Sequence, residues 1–259
     1  MGTPFPRSIT ASAARQLIAQ LNIKAPEEID IELIAAHCGA YIKFRRLLHQ
    51  EGHLLRLGQH GLIVIDEGAR ESKKWRFVAA HELGHFLRHP TLDQFKLCTD
   101  ADLHNWYLSS GYETEANDFA AELLMPEPLF KRHCDRNKPS LRDIQELAGL
   151  FNTTITATSL RFIAFSDEPC AVVYSTKSKV DWFACTSNFR YPPERGMRLS
   201  NGTYAFNFFA GRDVPAGPEM VNAKDWCGLP QARGCDMQEH SMQLGRYGAV
   251  LTLLWHPEE

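Results

Sequence analysis

The feature that most constrains this 259-residue chain is the pentapeptide His81-Glu82-Leu83-Gly84-His85. It lies in a stretch, Lys74 to His89, where Phe77, Val78, Leu83, Phe86 and Leu87 recur at helical spacing and Pro90 stops the pattern. On a helix the two histidines stand one turn apart on one face, so both imidazoles can reach a single ion. Zinc lowers the pKa of a bound water from about 15.7 to about 7, and Glu82 is then the base that takes the water's proton and returns it to a leaving amine. His89 is not the missing third ligand. It stands about 12 Å of helix rise from His81, whereas zinc–nitrogen bonds are about 2.1 Å. Its expected role is to cap the helix C-terminus or line the cleft.

A second helix is expected over Glu113 to Met125, closed by Pro126 and Pro128. Ala116, Phe119, Ala120, Leu123 and Leu124 define its buried face; Glu113 falls within that face and Glu115 toward its edge. Either carboxylate can serve. A carboxylate on a buried face needs a partner, and a zinc ion suits, so Glu113 is the expected third ligand. Glu115 is the candidate for orienting a ligand histidine from outside the coordination sphere. Cys98, in the polar linker between the two helices, is a candidate inhibitory fourth ligand that would exclude water as a thiolate; the alternative is a cysteine with no role.

Composition excludes several classes. With 44% apolar and 23% charged residues and no apolar run of eighteen, no membrane span is expected. Met1 to Thr10 lacks the pattern of a secretory signal, which points to the cytoplasm. Seven cysteines, odd in number and without a C-x-x-C pair, suggest reduced thiols rather than disulfides. A formal charge of -3 gives no global case for nucleic acid. A local case exists after Pro169, where Lys177, Lys179, Arg190, Arg195 and Arg198 interleave with Trp182, Phe183, Phe189, Tyr191, Phe206 and Phe208, the ingredients of a single-stranded DNA surface. The alternative is a solvated face over an ordinary core.

Along the chain, helices are expected over Ser12 to Leu21 and Ile31 to His37, and strands over Tyr41 to Leu48 and Leu62 to Asp66. Leu62 to Ile65 is a candidate edge strand for an added peptide. Thr91 to Tyr112 reads as irregular and Ser140 to Phe162 as two short helices of helix-turn-helix spacing, with enough apolar residues to be a packing element. Beyond Pro169, short β-rich runs alternate with turns: Ala171 to Tyr174, Trp182 to Ala184, Tyr204 to Phe209 and Val250 to Trp255.

Two motifs, Arg76-Phe77 through His85 after the strand Leu62 to Ile65, and Glu113 through Pro126, resemble the ImmA/IrrE family of bacterial metallopeptidases over about the first 165 residues. The resemblance implies a gluzincin-like fold with zinc (Zn2+) on His81, His85 and Glu113. It further implies an endopeptidase whose substrate is a helix-turn-helix, XRE-like transcriptional repressor, cleaved to induce DNA-damage or phage-defence genes, as in the IrrE/PprI-like members and the CapP type that control anti-phage operons. The expected class is α+β: a peptidase domain over residues 1–138, a helix-turn-helix-like segment over 139–165 and a GAF-like antiparallel-sheet sensor domain over 166–259, sensing a signal such as single-stranded DNA. The competing reading is a DNA- or ligand-binding regulator with a structural or vestigial zinc site. Glu82 speaks against it, because a structural site needs no base.

Overall fold

A computed structural model describes residues 9–48, 50–90, 97–98, 111–134, 139–245 and 248–256, with nothing stated for the side chains of Ile9, Leu97 and Cys98. Of these, 9–132 with 148–157 form one compact unit, and 133–147 with 158–256 form another. Both are mixtures of helix and strand. No helix among the described residues is long and apolar enough to cross a membrane.

The first unit holds α1 (Ile9–Gln20), α2 (Ile31–His37), β1 (Ala40–Arg45), β2 (Gly52–Leu57), β3 (His60–Asp66), α3 (Lys74–Arg88), β4 (Leu97–Cys98) and α4 (Tyr112–Leu124). Asp30 starts α2 as an N-cap, its carboxylate accepting from the backbone N–H of Glu32 and Leu33. The strands form one sheet in the order β1-β3-β2-β4, with β1 parallel and β2 antiparallel to β3. β2, absent from the strands expected above, begins at Gly52 and ends at Leu57, and Gly58 after it, with φ of 64°, allows the tight turn into β3. Leu62 to Ile65 is therefore interior, paired on both sides, and is not an edge to which a peptide adds.

The register of α3 on its neighbours is set by what is missing from Gly84. A Cβ there would lie 3.1 Å from Phe119 Cδ1 and 3.3 Å from Ala116 Cα, so the two helices meet at backbone distance. Val78, Ala79, Ala80 and Leu83 of α3 and Ala116, Phe119, Ala120 and Leu123 of α4 are all fully buried. α1 packs on α4 as well, where Arg15 reaches the buried Glu122 carboxylate at 3.5 Å.

After α5 (Glu127–Cys134), helices α6 (Leu141–Leu150) and α7 (Ile155–Phe165) follow, as the helix-turn-helix spacing predicts, with Asn152 taking the left-handed turn between them at φ 51°. Leu141, Ile144, Leu147, Ala148 and Phe151 are buried, and Leu150 is exposed at 41%. The unit boundaries fall inside α5, α6 and α7.

The second unit is built on an antiparallel sheet, β6-β5-β9-β8-β7, from β5 (Cys170–Thr176), β6 (Lys179–Cys185), β7 (Glu219–Asn222), β8 (Asp236–Leu244) and β9 (Ala249–Trp255). β9, buried at every position, is its centre. Tyr204 to Phe209, expected as a strand, is instead the helix α8 (Tyr204–Ala210). Thr203 caps it by accepting from Phe206 N–H, and Gly211 ends it at φ 64°. The decisive partner is distant in sequence: Glu239 of β8 accepts from the first N–H groups of that helix, Tyr204 at 3.1 Å and Ala205 at 2.6 Å, and also from Trp226 Nε1 and Ser241 Oγ. Burial pushes the Glu239 carboxyl up, and these four donors oppose that rise.

Gly84→Val should force α3 and α4 apart. Thermal or urea unfolding of the full chain is expected to read a loss of about 1–3 kcal/mol, and an unchanged midpoint would mean that the helix contact has room to spare.

Candidate metal centre

α3 and α4 carry the site. His81 and His85, at the same face of α3, are buried at 0% and 7% exposure, with Glu82 at 2% between them. Their Nε2 atoms lie 3.0 Å apart. Glu113, in the first turn of α4 where the helix dipole favours an ionised carboxylate, places Oε2 at 3.2 Å from His81 Nε2 and 3.5 Å from His85 Nε2. His81, His85 and Glu113 are the one group of three metal-ligating side chains found together among the described residues.

Hydrogen bonds state which way the ring nitrogens face. Asn117, one turn beyond Glu113, sets Oδ1 2.8 Å from His81 Nδ1, so His81 donates there and its Nε2 keeps a lone pair. Burial pushes the His85 imidazole below its usual pKa, with Glu113 opposing and His81 and His89 adding to the fall; a neutral ring is the form that ligates. Two imidazole lone pairs and a carboxylate oxygen converging in a buried space repel one another unless a cation lies between them. The three separations are close to the roughly 3.4 Å expected between donors on a tetrahedral zinc with bonds near 2.1 Å. The donor set therefore fits a divalent metal of the zinc type.

Residues 35–162 match the family model described as the IrrE N-terminal-like domain. The chain carries a metallopeptidase domain of the ImmA/IrrE family. It is 30% identical over 176 residues to the radiation response metalloprotease IrrE of Deinococcus radiodurans, covering 66% of this chain and 51% of that protein. The chain thus spans about half the length of the curated relative it matches. A solved Mycobacterium tuberculosis transcriptional regulator shares the fold at a TM-score of 0.59 over 97% of this chain and 88% of that one, at 13% identity.

Other residues singled out in the sequence are distributed around this ImmA/IrrE domain and beyond it. Glu115 touches no ligand histidine directly; its Oε2 lies 2.9 Å from His89 Nε2. His89 is the C-cap of α3, its N–H donating to His85 O, and is 3% exposed. Arg56 of β2 was not anticipated: its Nη2 reaches the carbonyls of His85 at 2.7 Å, Phe86 at 2.8 Å and His89 at 3.1 Å, closing the C-terminus of the motif helix with a positive charge. The sequence signal for it is an arginine between leucines in a short strand. Cys98 pairs through its backbone with Gly52, and its side chain lies outside the described residues.

In the second unit Lys177, Lys179, Arg190, Arg195 and Arg198 are all exposed. Four of them are brought together by backbone pairing. Lys177 and Ser178 form the left-handed turn between β5 and β6, and the 194–199 segment bonds along β6 through Val180 N–H to Met197 O and Leu199 N–H to Ser178 O. Lys179 is bridged to Arg198. Arg190 lies apart, its guanidinium over the Tyr191 ring. The aromatic side chains do not join them at the surface. Trp182, Phe189 and Tyr191 are buried, and Phe183, Phe206 and Phe208 pack against the same core, so they serve folding rather than stacking on bases.

Asn117→Leu removes the acceptor that holds the His81 ring. Zinc affinity measured against a competing chelator should fall about tenfold; affinity equal to that of the unaltered chain would show the ring to be held by packing alone.

Proposed function

We propose that the protein is a zinc-dependent endopeptidase that cleaves a helix-turn-helix, XRE-like repressor, with the metal on His81, His85 and Glu113 and with Glu82 as general base. The single observation that carries this reading is the buried convergence of two imidazole nitrogens and a carboxylate oxygen within 4.8 Å of one another, beside a buried glutamate that is not among them. A zinc ion held there supplies Lewis acidity, polarising the peptide carbonyl and acidifying water. Glu82 accepts the proton of the attacking water on its carboxylate and delivers it to the departing amine nitrogen as the peptide bond breaks. His81 and His85 hold the metal and move no proton.

The organisation that goes with this reading is a gluzincin-like peptidase domain over residues 1–138, a helix-turn-helix-like packing segment over 139–165 and a GAF-like sensor over 166–259, working in the cytoplasm of a cell under DNA damage or phage attack. For the sensor the proposed signal is single-stranded DNA. Its support is the exposed cluster of Lys177, Lys179, Arg195 and Arg198 at one end of the second sheet. With the aromatic side chains in the core, binding would run through phosphates, and its affinity would fall steeply with salt.

The test is a cleavage assay with full-length, zinc-loaded protein and a helix-turn-helix repressor encoded beside its gene, with and without single-stranded oligonucleotide. Cleavage should depend on zinc, fall by about a hundredfold or more in Glu82→Gln, and rise with oligonucleotide at low salt. Exchanging the four basic residues for glutamate should abolish oligonucleotide binding in an anisotropy titration. Intact repressor under every condition, with zinc bound, would instead favour a regulator that acts by binding.

A further inference from the structure

We infer that His89 and Glu115 are positioning residues of the metal centre, forming a hydrogen-bonded chain from Glu115 through His89 to His85 that fixes the tautomer and tilt of the ligand ring. This deepens the metal-site reading above and rests on it. The chain of bonds is short and continuous: Glu115 Oε2 lies 2.9 Å from His89 Nε2, and His89 Nδ1 lies 3.0 Å from His85 Nδ1.

With a metal on His85 Nε2, that ring's hydrogen is on Nδ1 and needs His89 Nδ1 as its acceptor, so proton bookkeeping along the chain has one solution. A carboxylate oxygen only accepts, so His89 Nε2 carries the hydrogen. The neutral His89 ring then has a bare Nδ1, which accepts. The hydrogen between the two rings therefore sits on His85 Nδ1, and His85 Nε2 is left with a lone pair. That nitrogen is the one facing His81 Nε2 at 3.0 Å and Glu113 Oε2 at 3.5 Å. The same geometry explains why His89 is no ligand, because it meets His85 on the side of the ring away from the metal-facing nitrogen. Glu115 acts on a ligand, but at one remove.

His89 is itself held from three directions. Its backbone N–H closes on His85 O, and its carbonyl accepts from Arg56 Nη2 at 3.1 Å. The Tyr112 ring lies 4.7 Å from its imidazole, centroid to centroid. One short stretch of α4 thus supplies a ligand, Glu113, and both outer partners: Asn117 for His81 and Glu115, through His89, for His85. Glu115 is half-exposed, 47% by side chain, whereas His89 is buried; the chain opens to solvent at its carboxylate end only.

The experiment uses the full chain and two metals. Zinc affinity is measured against a competing chelator, and the visible spectrum of the cobalt(II)-substituted protein is recorded, for the unaltered chain and for His89→Phe, Glu115→Leu, Glu115→Gln and His85→Ala. His89→Phe and Glu115→Leu should weaken zinc binding about ten- to a hundredfold and shift the cobalt bands, as the loss of an outer partner does in other metal sites. Glu115→Gln keeps an acceptor oxygen for His89 and should restore both readouts to within about threefold of the unaltered chain. A mere structural pin between α3 and α4 would lower the melting temperature of the metal-free protein while leaving zinc affinity and the cobalt spectrum untouched. That result in Glu115→Leu and His89→Phe, with His85→Ala unable to bind zinc, overturns this inference alone. Failure of the unaltered chain to bind either metal overturns the metal-site reading together with it.

Discussion

The approach of α3 to α4 at Gly84 is the contact on which the candidate centre depends. Any side chain there meets Ala116 Cα and the Phe119 ring at 3.1–3.3 Å, so only a glycine lets the axes come this close. Closeness matters because the two helices divide the donor set: two histidines come from one and the carboxylate from the other. Packing is steep in distance, since interiors are dense and a displaced helix does not relax into empty space. An ångström of separation would carry Glu113 out of the 3.2–3.5 Å range at which its oxygen meets both imidazoles.

Around that contact the polar groups of the motif are provided with partners whose chemistry is directional. His81, Glu82, His85 and His89 all lie under 10% exposure, where an unpartnered polar atom costs several kcal/mol. Asn117 and His89 take up the outer nitrogens of the two ligand rings, and Arg56 takes up the carbonyls that α3 leaves unpaired at its end. His81 Nε2, His85 Nε2 and a Glu113 oxygen are drawn together on the inner side. A buried donor set of that kind fits a cation, and the family match over residues 35–162 agrees with it.

The second unit follows a different logic. Glu239, deep in the sheet, accepts four hydrogen bonds and ties the start of α8, the Trp226 ring and Ser241 to one carboxylate. None of the six cysteines with described side chains forms a disulfide, and the Cys170 thiol is pushed up to about 12 by burial. Cohesion there rests on a core that includes Phe189, Tyr191 and Trp226, which leaves the lysines and arginines of the β5–β6 turn and the 194–199 segment as the chemistry available at the surface.

Local signals were enough for much of the first unit. A helical period of apolar residues running through H-E-x-x-H places both histidines on one face of a helix, and the same wheel argument set Glu113 on the buried face and Glu115 toward its edge. The β-rich runs likewise indicated an antiparallel sheet after Pro169. Where the outcome depended on partners distant in sequence, periodicity was silent or misleading. Tyr204 to Phe209 has the composition of a strand and became a helix, because Glu239 and Thr203 satisfy its first N–H groups. Leu62 to Ile65 looked like an edge until β2, hidden between glycines, paired with it. The His89 side chain, Arg56 and Asn117 acquire their parts only once α3, β2 and α4 are brought together. By itself the sequence determined which residues can ligate and on which helix faces they lie, since that is a matter of local geometry. Only the tertiary structure decided which nitrogen of each ring faces the site, since that depends on hydrogen-bond partners from other elements.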